Sequence, residues 1–124
     1  MAALTSMKPS VPILTILTIA MLAAVRAEAA PDCGGVLQRA REQQVAVADW
    51  QAGRRVTGRD RLYFHSAPEP GCRLRDTFVI KGEPLQALNE YGTYTEVQYV
   101  NPRTGRISLG WVESGRLEET IAAR

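Results

Sequence analysis

From Arg55 onward the chain never runs far before it meets turn chemistry. Proline and glycine interrupt it at Ala67-Pro68-Glu69-Pro70-Gly71, Lys81-Gly82-Glu83-Pro84, Tyr91-Gly92 and Asn101-Pro102-Arg103-Thr104-Gly105. The stretches between these breaks read as short strands. Residues 61–66 alternate, which sets Leu62 and Phe64 on one side and Tyr63 and His65 on the other. Residues 77–80 form a compact apolar strand, and residues 85–90 another with Leu85 and Ala87 inward. Residues 94–100 and 106–112 form a hairpin closed near Gly105, where a positive φ costs little. A single helical turn is expected at 114–117, followed by a polar tail. Proline cannot donate to a ladder, so Pro68, Pro84 and Pro102 mark strand ends and edges. Roughly five strands with turn signals about every 8–12 residues predict a mainly β fold, a small five-stranded barrel or sandwich. Phe64, Phe78, Ile80, Leu85, Val97 and Val112 are its expected core.

Residues 33–51 carry two patterns. Val36, Ala40, Val47 and Trp50 fall at near-helical spacing, while Val45-Ala46-Val47 alternates like a strand. A short helix over 36–44 is the preferred reading, with Gly34-Gly35 before it and Gly53 after it as breaks. Trp50 is expected to pack against the domain that follows.

The first residues have the character of a targeting segment. Lys8 precedes a run at 11–24 that is apolar apart from two threonines, and Ala-x-Ala-like sites follow at Ala27 and Ala29. That combination is a secretory signal peptide. The alternative is an uncleaved anchor, but the uncharged stretch 9–25 is 17 residues and contains Pro9 and Pro12. A spanning helix takes about 20. Ala30-Pro31-Asp32 before Cys33 lacks the small apolar residues that lipid attachment needs. The expected organisation is a signal peptide at 1–29, an extension at 30–54 and one β domain at 55–120. A periplasmic or secreted location follows, with no stable membrane anchor after cleavage.

Cleavage changes the charge. Losing Lys8 and Arg26 lowers the basic count from 15 to 13, equal to the 13 acids, or one above them if Glu28 leaves too. A neutral, mixed surface argues against nucleic acid as a partner. Of the 13 remaining basic residues, 12 are arginine and Lys81 is the exception. Arginine suits carboxylate pairing at interfaces, although the codon bias of a GC-rich genome also accounts for the excess.

Two cysteines, Cys33 and Cys72, remain in the exported form. In an oxidising compartment such a pair is first a disulfide. Closing a loop of about 40 residues would stabilise by about 4 kcal/mol in the chain-entropy model. The alternative is two unpaired thiols. With His65 as the single histidine they do not complete a structural zinc site, and no metal or cofactor is expected.

Catalytic sets are not evident. Ser66 adjoins His65, so on a strand it points to the opposite face. Cys72 beside His65 would make a nucleophile–base pair only if it were not bonded to Cys33. Glu113, Glu118 and Glu119 lie close in sequence but are expected to be solvated. His65 is expected to face the surface of its strand. Binding is the stronger expectation, through Tyr63, Tyr91, Tyr94 and Trp111 with His65 and Arg73 at the border, because aromatics give contact area at low entropic cost. Tyr94 and Trp111 could equally close the barrel.

Four pieces in order carry a family resemblance: Phe64-His65-Ser66-Ala67-Pro68, Gly82-Glu83-Pro84-Leu85, Gly92-Thr93-Tyr94-Thr95-Glu96-Val97, and Gly110-Trp111-Val112 with Leu117. Over residues 61–117 the chain resembles bacterial SH3-like domains. It departs from them in Tyr94, where the family commonly has tryptophan, in a longer hairpin before Gly110, and in Cys72 with an upstream partner. The resemblance implies a non-catalytic binding module on a small barrel. A lone exported domain of this kind is expected to hold a secreted or cell-wall-acting protein, as an inhibitor or immunity protein does. A peptidoglycan-binding module is the alternative, and a small hydrolase built on Cys72 and His65 the remote one.

Overall fold

The computed structural model describes residues 30–120. The signal-peptide expectation for 1–29 lies outside them. Among the described residues no helix is long and apolar enough to cross a membrane.

The chain opens with helix α1 (Cys33–Gln43) and continues through strands β1 (Val45–Ala46), β2 (Gly53–Val56), β3 (Leu62–His65), β4 (Arg73–Val79), β5 (Pro84–Tyr91), β6 (Tyr94–Val100), β7 (Ile107–Glu113) and β8 (Leu117–Glu119). The strands make one antiparallel sheet in the order β4-β3-β7-β6-β5-β2-β8, with β1 paired to β5. The sheet curls into a half-barrel. The expected five strands are therefore eight. Strands β1 and β2 come from the segment read as an extension, and β8 from the polar tail. The expected turn at 114–117 is a 3-10 turn, Ser114–Arg116.

The inner face is aliphatic and aromatic: Val56, Leu62, Phe64, Val79, Leu85, Val97 and Val112 are buried together. Two expected core residues are not among them. Val79 pairs with Leu62 and faces inward, so alternation turns Phe78 and Ile80 outward, 37% and 52% exposed. An unbroken apolar run concealed the strand's phase.

The outer face is covered at one end by α1. Ala40 and Leu37 pack on Tyr94 and Trp111, with Tyr91 alongside. The helix starts earlier than its apolar spacing indicates. The Asp32 side chain accepts a hydrogen bond from the Gly35 amide and caps the first turn. A Cβ on Gly35 would come 2.5 Å from Asp32 Oδ2, so glycine here admits the cap rather than breaking the helix. The Cys33–Cys72 disulfide, with Cα atoms 5.8 Å apart, ties the start of α1 to the loop after β3. At the other end Arg41 makes a two-pronged pair with Glu96 of β6, both contacts 2.6 Å, and lies over the Trp111 ring.

Two further residues depart from expectation. His65 does not face solvent. It is 4% exposed, its Nδ1 is 3.0 Å from the Trp111 carbonyl, and its ring meets Tyr94 edge-on. Trp50, expected to pack, is 76% exposed on a 3-10 turn, Asp49–Gln51.

Candidate functional site

Beside α1, at the same end of the sheet, lies a cleft of about 680 Å³ lined by Pro68, Glu69, Pro70, Tyr91, Gly92, Thr93, Tyr94, Glu113 and Gly115. One wall is the two-residue turn between β5 and β6. Gly92 there has φ +57°, a left-handed conformation that favours glycine. The turn sets Tyr91 directly opposite Tyr94, and Tyr94 is in turn opposite Glu113 of β7. Two contacts fix this wall to the next: the Ser114 amide donates to the Thr93 carbonyl, and the Thr95 and Ser114 hydroxyls are 2.8 Å apart.

The facing wall is the loop that carries Glu69 between two prolines. The Glu69 amide donates to Ala67 O and the Cys72 amide to Glu69 O. Cys72 is bonded to Cys33, and Gly71 sits so close to Pro31 that a Cβ would lie 2.5 Å from the proline ring. The loop is thus braced against the approach to α1. The backbone that carries Glu69 is thereby held in place.

The electrostatics are one-sided. Among the described residues no basic side chain lines the cleft. Arg41, Arg54 and Arg55 take their carboxylates elsewhere, from Glu96, Glu90, Glu118 and Glu119; among the described residues neither Glu69 nor Glu113 is in an ion pair. Tyr94 is 7% exposed, yet its hydroxyl makes no hydrogen bond among the described residues. Burial, reinforced by the charges of Glu113 and Glu69, raises the Tyr94 phenol above its ordinary value.

The residues expected to bind divide into three sets. Tyr91 and Tyr94 line the cleft. His65 and Trp111 stand behind it as buried support; the Trp111 Nε1 is the one buried side-chain polar atom without a partner among the described residues. Tyr63 and Arg73 lie outside it, in a ladder along the outer side of β3 and β4. There Arg73 caps the Tyr63 ring at 4.4 Å, Tyr63 meets Phe78 at 5.7 Å, and Arg61 covers Phe78 at 4.3 Å.

Glu69 carries no part of the site expected from the sequence, and Glu113 stands there beside Glu118 and Glu119 as a solvated acid. Those two sit on β8, paired across from Arg55 and Arg54. The signal for Glu69 was present: a charge held between Pro68 and Pro70 and bounded by Cys72.

The Cys72 sulfur is bonded to Cys33, so it supplies no thiolate to His65 while the bond is intact. Among the described residues no group of three His, Cys, Asp or Glu is placed to hold a metal ion. No family model, curated protein or solved structure matches the chain.

Proposed function

We propose that this protein is an exported, non-catalytic binding module of the SH3-like kind that holds a secreted or cell-wall-acting protein, as an inhibitor or immunity protein does. The observation that carries the reading is the braced cleft, with Tyr91 and Tyr94 on a wall fixed by strand pairing and Glu69 on a wall fixed by the disulfide. A surface whose walls are already ordered loses little entropy on binding. Tyrosines at its centre supply contact area that few other side chains match. The outward cleft at the end of a small curled sheet suits a module that adds nothing to a substrate and takes nothing from it.

The test is affinity capture with the disulfide-bonded protein as bait, from periplasmic extract and secreted proteins, with purified cell-wall sacculi as a parallel arm. A defined protein partner is expected at micromolar bait. Tyr91→Ser should weaken its retention at least about ten-fold, the loss expected at an aromatic hot spot. Retention on sacculi with no protein partner would overturn the reading in favour of peptidoglycan, and retention on neither would overturn both.

A further inference from the structure

Neutral aromatic walls would explain an apolar contact surface, but this cleft has a further property. Two carboxylates, Glu69 and Glu113, reach it from opposite walls and have no counter-ion among the described residues. The chain has 15 basic residues, so leaving these two acids unpaired is not for want of cations. Tyr94, more than nine-tenths buried, lines the cleft with them, and its hydroxyl makes no hydrogen bond among the described residues. A phenol oxygen accepts as well as donates. A hydroxyl that borders a cleft and spends no lone pair within the fold is a place for a ligand donor.

These features specify the missing group. It carries positive charge, because the acids repel anions. It donates hydrogen bonds to two carboxylates and a phenol oxygen. It has an apolar stem, because Pro68, Pro70 and the rings of Tyr91 and Tyr94 make up the remaining walls. Lysine and arginine side chains combine a methylene stem with a charged head, and tyrosine rings attract such cations.

We infer that the cleft receives a lysine or arginine side chain of a protein partner, its cationic head between Glu69 and Glu113 at the Tyr94 hydroxyl and its stem along Tyr91 and Tyr94. This rests on the protein-binding reading and names the part of the partner that enters. The disulfide contributes directly, because the loop it braces carries Glu69.

The experiment is an NMR titration of the disulfide-bonded protein with three capped tripeptides, Gly-Arg-Gly, Gly-Lys-Gly and the neutral Gly-Gln-Gly. The arginine and lysine peptides are expected to shift the Gly92, Thr93 and Gly115 amides saturably, and the glutamine peptide is not. Raising the salt should weaken the response. Glu69→Gln and Glu113→Gln should each weaken binding about five-fold, the equivalent of about 1 kcal/mol for one exposed ion pair. Neither carboxylate makes an ion pair or side-chain hydrogen bond in the fold among the described residues, so both variants are expected to fold. Tyr94→Phe, which removes only the oxygen, should weaken binding by a smaller factor. Equal shifts from the glutamine peptide, no saturable shift, or a double glutamine variant that binds as the parent does would overturn the inference. If a captured protein is indifferent to both glutamine substitutions, the inference fails and the protein-binding reading stands. If the peptides bind as described but no protein is captured, the cation site stands and that reading fails.

Discussion

Gly110 of β7 lies where a side chain has no room. A Cβ there would come within 3.1 Å of the His65 carbonyl oxygen and of two atoms of Phe64. Phe64 is fully buried in the inner core and His65 is held against Trp111, so neither has space to retreat. Gly110→Ala is therefore expected to destabilise by about 2 kcal/mol, within the usual cost of overpacking a filled site. A urea midpoint measurement checks this, and parental stability would show that Phe64 moves aside. The Gly-Trp-Val stretch was legible in the sequence as a closing strand because packing glycines leave such a mark. The facing of its neighbours was less legible. Period-2 alternation set Leu62 and Phe64 inward correctly, but residues 77–80 are nearly all apolar and carry no phase. Cross-strand pairing with Leu62 chose Val79 for the core and left Phe78 and Ile80 outside. His65 alternates outward as read; burial came from what lies over the outer face, which no local pattern records.

What lies there is α1, and a helix this short needs help to stay. Eleven residues are marginal alone in water. The Cys33–Cys72 bond fixes one end, and Arg41 on Glu96 fixes the other. Burial works to raise the Glu96 carboxyl, but hydrogen bonds from Arg41 and Asn89 and the Arg41 charge outweigh it and hold the group below the usual carboxylate range. A lowered folded value means that the carboxylate stabilises the fold fully above its unfolded value of about 4.3. That contribution is lost as pH falls through the folded value. The parent's advantage over Glu96→Gln should accordingly be constant near neutrality and shrink as pH falls from about 5 to below the unfolded value. Urea midpoints of both proteins across that range supply the test, and a difference that does not vary with pH would show that the pair adds no charge-dependent stability. The helix itself was readable from Val36 and Ala40. Its start was not, because the cap and the disulfide that set it act through contacts rather than through apolar spacing. Strand β2 was missed for a similar reason: four residues with two arginines look like a linker until β5 and β8 flank them.

On the scale of the whole molecule, one covalent bond couples the outer helix to the candidate site. Residues 33 and 72 are 39 apart in sequence, and between them run α1, β1, β2 and β3. Unfolded, the bonded chain has lost the freedom of that loop; folded, the same bond braces both α1 and the wall carrying Glu69. A protein built in this way depends on the compartment in which it matures, because cytosolic reductants keep such pairs open. This joins two separate expectations from the sequence, the proposed signal peptide at 1–29 and the even cysteine pair. The pair was legible from cysteine arithmetic and the cleft was not, because Glu69, Tyr94 and Glu113 meet only once β3, β6 and β7 are adjacent. The proposal of export therefore has a physical consequence. The full chain, exported by a bacterial host, should be recovered starting at Glu28 or Ala30 and should gain about 2 Da on reduction, the mark of one disulfide. A chain made in the reducing cytosol without residues 1–29 should lack that mass change and be less stable by about 4 kcal/mol, the chain-entropy cost of opening a loop of this length. Oxidising it in vitro should restore the difference and, with it, binding in the cleft. Equal stability of the two forms would mean that α1 and the 67–72 loop hold their places without the bond, and that the leader and the cysteines have nothing to do with one another.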